Sequence, residues 1–271
     1  MPPAIGSHVP ESAPIPLVPP AASPPPPHGA DAALPARDGL GQTRQMAVGK
    51  ATAALVVIAQ DGSPGLRYPL ELEQVDVGRT HGDIRLPSDP YVSPRHARLV
   101  RRDGRYHVRD LDSVNGVFWR LKRPYLLAHG DLILVGLQVL RFEMVSDVTA
   151  SYGVATDAGV NRFGSPALPR YARLCQVTVE GIPRNVYYLS TNETLLGRES
   201  GDVVFTTDPF MSRSHASLVR NPDTGAFSIR DLGSSNGSYV ALRRETTLSD
   251  GDFLRIGQHL FRFEIESNEH S

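Results

Sequence analysis

Gly78–Arg101 reads GRTHGDIRLPSDPYVSPRHARLVR, and Gly197–Arg220 reads GRESGDVVFTTDPFMSRSHASLVR. Laid over one another at a constant offset of 119 residues, the two stretches are identical at 12 of 24 positions. Downstream, Arg109-Asp110-Leu111 meets Arg230-Asp231-Leu232 and Asn115-Gly116 meets Asn236-Gly237, now at an offset of 121. The two-residue slip falls where Arg-Asp-Gly-Arg in one copy becomes the longer Asn-Pro-Asp-Thr-Gly in the other. Insertions are tolerated at hairpin tips, so the slip predicts a hairpin there. The offset of 121 then holds through Asp131/Asp252, Gly136/Gly257 and Arg141-Phe142-Glu143/Arg262-Phe263-Glu264. A period this long exceeds that of solenoid repeats and describes tandem domains.

Outward from this repeat the chain reads all-β. Short β-branched and aromatic runs alternate with Gly, Asp, Asn and Pro at close spacing, the pattern of a sandwich or barrel. No apolar i, i+3, i+4, i+7 stripe is sustained, so few helices are expected. Among the matched apolar positions, Leu99/Leu218, Val108/Ile229 and Phe142/Phe263, with Leu140 near Leu260, are expected in the core. Order is expected from about Ala51. The first domain spans 51–146, a Ser-, Thr-, Gly- and Ala-rich linker 147–169, and the second domain 170–268.

Twelve of the 23 prolines lie in the first 35 residues, with Glu11 and Asp31 the only carboxylates and no Lys or Arg there. Such a segment cannot bury enough apolar area to offset its ordering entropy, so residues 1–50 are expected to be a disordered Pro-rich spacer. A ligand for a Pro-binding domain is the alternative reading.

The 271 residues carry 28 Lys+Arg against 29 Asp+Glu, a formal net charge of −1. Near neutrality argues against holding nucleic acid or anionic membrane by bulk electrostatics. Arg outnumbers Lys 26 to 2, and Arg is the fork-shaped donor that matches phosphate bidentately. The single Cys175 excludes an intramolecular disulfide framework and points to a reducing compartment. No apolar run reaches the ~18–20 residues of a membrane helix. The N-terminal stretch lacks the features of a signal peptide, so a cytoplasmic location is expected. The histidines show no metal-ligand spacing, no Gly-rich phosphate loop is present, and neither matched serine lies in a G-x-S-x-G elbow. Neither catalysis, cofactor nor metal is expected.

The matched polar residues are Gly-Arg, Ser-x-x-His and Asn-Gly, each beside turn formers. Loops at one end of a sandwich can converge on one site. There Arg offers a charged fork, Ser a hydroxyl donor, and Asn both an amide donor and a carbonyl acceptor. That set can read an anion and the main chain beside it.

Gly78-Arg79, Ser93-x-x-His96, Leu111-x-x-x-Asn115-Gly116 and the closing Gly130-Asp131…Gly136 resemble a forkhead-associated (FHA) domain. Gly197-Arg198, Ser212-x-x-His215, Asp231–Gly237 and Gly251-Asp252…Gly257 resemble a second. The resemblance implies two tandem β-sandwiches of about eleven strands each, binding phosphothreonine peptides through loops at one end. It places Arg198, Ser212, Arg213 and Ser235 on the phosphate and Asn236 on the ligand's main chain. Gly197 and Gly237 let loops turn, and His215 braces the serine loop from behind. In the first copy the same resemblance gives Arg79, Ser93 and Asn115, supported by Gly78, His96 and Gly116. That copy departs twice: Val114 replaces the hydroxyl of Ser235, and Pro94 replaces Arg213, leaving Arg95 as a substitute cation. Site two is therefore the main expected reader and site one the weaker.

The resemblance implies an adaptor, bacterial in character, whose partners are phosphothreonine-containing proteins such as a Ser/Thr protein kinase or its substrate. A phosphate-independent scaffold using the sandwich faces is the alternative. Thr43, Thr149 and Thr156 are candidates for modification and capture by the chain's own pocket.

Overall fold

Twenty-two β-strands and no helix make up the regular structure in a computed structural model that describes residues 53–146, 153–166 and 168–265. The Pro-rich segment, Thr43 and Thr149 lie outside the described residues. The first repeat contributes β1 (Ala53–Ile58), β2 (Pro64–Pro69), β3 (Gln74–Gly78), β4 (Ile84–Arg85), β5 (Ala97–Arg102), β6 (Arg105–Asp110), β7 (Val117–Arg120), β8 (Tyr125–Leu126), β9 (Leu132–Val135) and β10 (Gln138–Met144). A two-rung hairpin in the linker holds β11 (Thr156–Asp157) and β12 (Val160–Asn161). The second repeat contributes β13 (Ala172–Val177), β14 (Pro183–Leu189), β15 (Glu193–Gly197), β16 (Val203–Val204), β17 (Ala216–Arg220), β18 (Phe227–Asp231), β19 (Ser238–Ala241), β20 (Thr246–Leu248), β21 (Phe253–Ile256) and β22 (His259–Ile265).

The hairpin inferred from the slip is present. Arg102 pairs with Arg105 across Asp103 and Gly104, both at positive φ (51° and 72°), the tight turn that suits strand twist. In the second copy the matching turn is longer, and Asn221 Oδ1 accepts the Asp223 and Thr224 N–H groups to close it. Alternation along the strands sends every second side chain inward. Leu99 and Leu218, Val108 and Ile229, and Phe142 and Phe263 are all buried. Leu140 faces inward as well, but its partner by register is Phe261. Leu260 instead packs on the opposite face of the sheet.

The strands do not close within their own repeats. One ten-stranded sheet runs in the order β14-β13-β10-β9-β19-β7-β21-β22-β1-β2. Its centre is the antiparallel pair β7–β19, with Tyr239 opposite Arg120 and Ala241 opposite Phe118. From there the order is the same in both directions with the repeats interchanged, a pseudo-two-fold relation. Each half of that sheet is faced by a five-stranded sheet, β20-β6-β5-β3-β4 on one side and β16-β15-β17-β18-β8 on the other.

Two cores result. One gathers Leu55, Val77, Leu99, Val108 and Val117 with Leu248, Leu254, Ile256, Phe261 and Phe263. The other gathers Leu121, Ile133, Leu140 and Phe142 with Leu174, Leu189, Leu196, Leu218, Ile229 and Val240. The second sandwich therefore takes its strands from within 125–241 and sits as an insertion within the first, whose strands come from 53–120 and 246–265. The sequence repeats at 51–146 and 170–268 are not the packing units. The hinges are Leu121–Pro124 and Leu242–Glu245, where each chain segment passes into the other sandwich instead of folding back.

The exchange is chemically even-handed. Lys122 Nζ lies 2.7 Å from Asp252 Oδ1, and its counterpart Arg243 places Nε 2.9 Å from Asp131 Oδ1. Each repeat supplies one hinge cation and one closing aspartate, so both ion pairs form across the repeats, although the buried Asp131 Oδ1 accepts no hydrogen bond and burial pushes its carboxyl up. The terminal strands behave likewise. Leu55 of β1 lies opposite Phe263 of β22, and Leu174 of β13 lies opposite Phe142 of β10.

Candidate functional site: paired loop clusters

At each site three loops meet, and main-chain hydrogen bonds set their spacing. In the second repeat the Arg198 N–H donates to Ser212 O (2.9 Å). The Ser235 N–H donates to Ser212 Oγ (3.1 Å), and Asn236 Nδ2 donates to Phe210 O (2.9 Å). Arg198, Ser212, Ser235 and Asn236 are thus brought together by bonds that do not use the Arg198 guanidinium group, the Ser212 hydroxyl proton or the Asn236 carbonyl oxygen. Gly197 is required at this junction: a Cβ there would stand 2.0 Å from Arg213 O and 2.3 Å from Ser200 O.

Arg213 joins the cluster through Glu199. One carboxylate holds both Arg198 (2.9 Å) and Arg213 (3.2 Å), so the two cations already share an anion. The remaining polar core of the site is fixed from below. His215 is wholly buried; its Nδ1 accepts the Ser212 N–H at 3.0 Å, and its Nε2 donates to Gly237 O at 3.2 Å. Those two bonds require the neutral ring protonated on Nε2. Burial pushes the His215 imidazole below its ordinary value, against the upward pull of the Gly237 carbonyl, Asp231 and Asp208. Burial also raises the Asp231 carboxyl, but hydrogen bonds from Ser234 and Ser238 outweigh it and hold the group below the usual range.

The first repeat reproduces the framework. The Arg79 N–H donates to Ser93 O (2.9 Å), the Val114 N–H to Ser93 Oγ (3.0 Å), and Asn115 Nδ2 to Tyr91 O (2.8 Å). His96 is buried, accepts the Ser93 N–H at 3.0 Å and reaches Gly116 O at 3.0 Å. Pro94 leaves the loop path intact because the bond made at this position uses its carbonyl: His81 N donates to Pro94 O, as Ser200 N does to Arg213 O. Val114 keeps the main-chain bond of Ser235 but presents a side chain that is 90% exposed and carries no donor. Arg95 lies 3.6 Å from Asp76, whose carboxyl is held low chiefly by the hydrogen bonds from Arg98. The first site therefore retains three of its donors, and its substitute cation already leans on an acid. Thr80 stands where Glu199 stands, so Arg79 has no such neighbour.

Sequence reasoning did not single out Glu199 or Asp89, and weighed Asp208 only as one residue type of a Ser-His-Asp triad that it set aside. Asp89 and Asp208 occupy matched places in the repeat, and each is almost wholly buried under its serine loop. The shared Asp-Pro at 89–90 and 208–209 was the signal for them.

A β-sandwich whose loops bring Arg, Ser and Asn together, each serine loop braced by a buried histidine, defines a loop-borne polar cluster with the donors to hold an anion. Comparison with known proteins agrees: the FHA domain family matches residues 75–136 and 194–257. The chain is 31% identical over 119 residues to the oxoglutarate dehydrogenase inhibitor of Corynebacterium jeikeium, covering 42% of this chain and 81% of that one. It is 39% identical over 88 residues to the transcriptional regulatory protein EmbR of Mycobacterium tuberculosis, covering 31% of this chain and 22% of EmbR. A solved structure of EmbR from Mycobacterium tuberculosis in complex with a low-affinity phosphopeptide aligns at 31% identity over 35% of this chain and 28% of that one, with a TM-score of 0.19. The chain belongs to the FHA-domain family and carries two copies of the domain's sequence. It spans about a fifth of the length of EmbR. Among the described residues no helix is long and apolar enough to cross a membrane.

Proposed function

We propose that this chain is a non-catalytic adaptor that binds phosphothreonine peptides in Ser/Thr kinase signalling, chiefly through Arg198, Ser212, Arg213, Ser235 and Asn236. The observation that carries this reading is the juxtaposition of Arg198, Ser212 and Asn236 by the hydrogen bonds between their loops. The main-chain bonds from Arg198 N to Ser212 O and from Ser235 N to Ser212 Oγ hold the serine between them. An incoming phosphate dianion displaces the Glu199 carboxylate from two guanidinium groups and gains charge-assisted hydrogen bonds in its place. The Ser212 hydroxyl donates to a phosphate oxygen, and Asn236 holds the peptide main chain beside it. Partners are phosphothreonine proteins met in the cytoplasm, a Ser/Thr protein kinase or its substrate.

Arg79, Ser93 and Asn115, with Arg95 nearby, form a weaker second reader. The exposed Val114 and the Arg95–Asp76 contact favour this ranking. Should site one hold no phosphate, its sandwich serves as scaffold for the other.

The test is fluorescence-anisotropy binding of a phosphothreonine peptide library, with the unphosphorylated library as control, to the wild-type chain, Arg79→Ala and Arg198→Ala. Phosphate-dependent binding lost in Arg198→Ala and kept in Arg79→Ala is expected. Equal binding of phosphorylated and unphosphorylated libraries would overturn the reading in favour of a scaffold.

A further inference from the structure

Asp208 is 3% exposed and ties the serine loop of site two to a turn of the first repeat. Its Oδ1 accepts the Phe210 N–H at 2.9 Å. Its Oδ2 accepts the Leu137 N–H at 2.8 Å and Gln138 Nε2 at 2.7 Å. Phe210 in turn offers the carbonyl that receives Asn236, and Ser212 follows two residues on. Gln138 is therefore three hydrogen-bonded steps from the residue that is to hold the peptide main chain. Site one is built the same way from the other direction. Asp89 Oδ1 accepts the Tyr91 N–H at 2.9 Å, and its Oδ2 accepts the Gln258 N–H at 2.7 Å and contacts His259 Nδ1 at 3.0 Å. Tyr91 O then receives Asn115. The glycines before these turns allow the approach: a Cβ on Gly136 would lie 2.7 Å from Asp208 Oδ2, and one on Gly257 2.5 Å from Asp89 Oδ2, both at positive φ.

We propose that each phosphopeptide site is completed by the opposite repeat, with Leu137-Gln138 acting as positioning residues for site two and Gln258-His259 for site one. This rests on the phosphopeptide reading above and adds to it a fixed dependence of each site on the other half of the chain. The physical basis is that the serine loop carries its ligand-facing groups on irregular backbone. Such a loop keeps one geometry only where buried bonds over-determine it. A buried aspartate accepting from both sides of the interface does this, and two of its three side-chain bonds come from the β9–β10 or β21–β22 turn that the exchange delivers. Sandwiches closed within their own repeats would reverse the assignment, giving Gln138 to Asp89 and His259 to Asp208, so the two arrangements predict opposite effects of the same substitution.

The test uses the full chain. In the Arg79→Ala background, where only site two is live, Gln138→Leu is expected to weaken phosphopeptide binding by about tenfold, the scale of one charge-assisted hydrogen bond. Gln138→His, which installs the residue of the matched position, is expected to restore it, and His259→Leu to leave it unchanged. Amide NMR shifts of Phe210 and Ser212 are expected to move in Gln138→Leu and not in His259→Leu, with or without peptide. A second arm needs no ligand: a protease site is placed at the exposed Ala158-Gly159 turn, and the cleaved chain is passed over gel filtration at rising urea. Fragments that co-elute up to the global unfolding transition support the proposal. Fragments that separate as folded halves overturn it, as does a Gln138→Leu chain whose site-two binding and Phe210 and Ser212 amide shifts are unchanged. Failure of the wild-type chain to bind any phosphopeptide would sink the functional reading alone, and the amide shifts and the cleavage arm would still decide this one.

Discussion

Phe263, close to the end of the second repeat, packs its ring 5.3 Å from that of Tyr106 in the first, tilted by 57°. Its counterpart Phe142 stands in the same relation to Phe227, the residue matched to Tyr106, at 5.3 Å and 56°. The same aromatic contact is thus made twice, each time across the repeats.

Phe263→Ala is expected to loosen the sandwich that holds site one although Phe263 belongs to the second repeat. Truncating a wholly buried Phe costs about 3–5 kcal/mol. Hydrogen exchange should show lost protection in β5 and β6 and little change in β17 and β18. Loss concentrated in β17 and β18 would contradict the exchanged core.

Glu199→Gln is expected to tighten phosphopeptide binding at site two. The carboxylate competes for Arg198 and Arg213, but it is half exposed and its pairs are worth no more than about 1 kcal/mol at a surface. A gain of a few-fold in affinity follows, largest at low salt where screening is weakest. Anisotropy titrations of the two proteins at two ionic strengths would measure it, and unchanged or weaker binding would refute the competition.

Stability should fall as pH drops below about 6.5, and His215 is the reason. Its folded value is depressed by burial, whereas in the unfolded chain it protonates near the ordinary 6.5. Between those two values the unfolded state binds the extra proton, so the contribution is full above 6.5 and is lost as pH falls through the folded value. A second loss follows near and below the ordinary 3.8 of aspartate as Asp89 and Asp231, both held low in the fold, take up protons. His215→Gln keeps a donor and an acceptor without titrating. Its stability should be lower by roughly 2–4 kcal/mol at neutral pH, from imperfect packing and bonding in a buried slot, with a flatter slope between pH 7.5 and 5.5. Equal slopes for the two proteins in thermal melts would remove His215 as the cause.

Restoring the two missing donors is expected to strengthen site one. Val114→Ser supplies the hydroxyl, and Pro94→Arg supplies the cation on a loop whose backbone already follows the path of its counterpart. Each charge-assisted bond is worth about 1.5–3 kcal/mol when desolvated, and exposure reduces this. About tenfold tighter phosphopeptide binding in an Arg198→Ala background is the expected outcome, and no gain would show that site one lacks more than these two groups.

Much of the molecule was legible in local sequence. Turn residues and two-residue alternation marked the strands around Leu99, Val108 and Phe142. The Arg-Asp-Gly-Arg slip marked a hairpin tip, and the paired Gly-Arg, Ser-x-x-His and Asn-Gly motifs marked the loops that converge. These features depend on residues near one another in the chain, where φ/ψ preference and side-chain alternation act directly. Asp89 and Asp208 were not read as supports of the serine loops, because an Asp-Pro repeated in both copies reads as a turn until the groups above it are known. Their partners lie 169–170 and 70–71 residues away.

The sequence alone determined that two copies of one sandwich recipe exist, where a hairpin tip falls in each, and which polar loop residues the two copies share. Only the tertiary structure decided which copy of a strand completes which sandwich. Phe142 and Phe263, Asp131 and Asp252, and Lys122 and Arg243 are interchangeable in size, burial or charge, so pairing within a repeat and pairing between repeats satisfy the same local chemistry. The choice is made at the hinges 121–124 and 242–245, where each segment passes into the other sandwich, and in the pairing of β10 with β13.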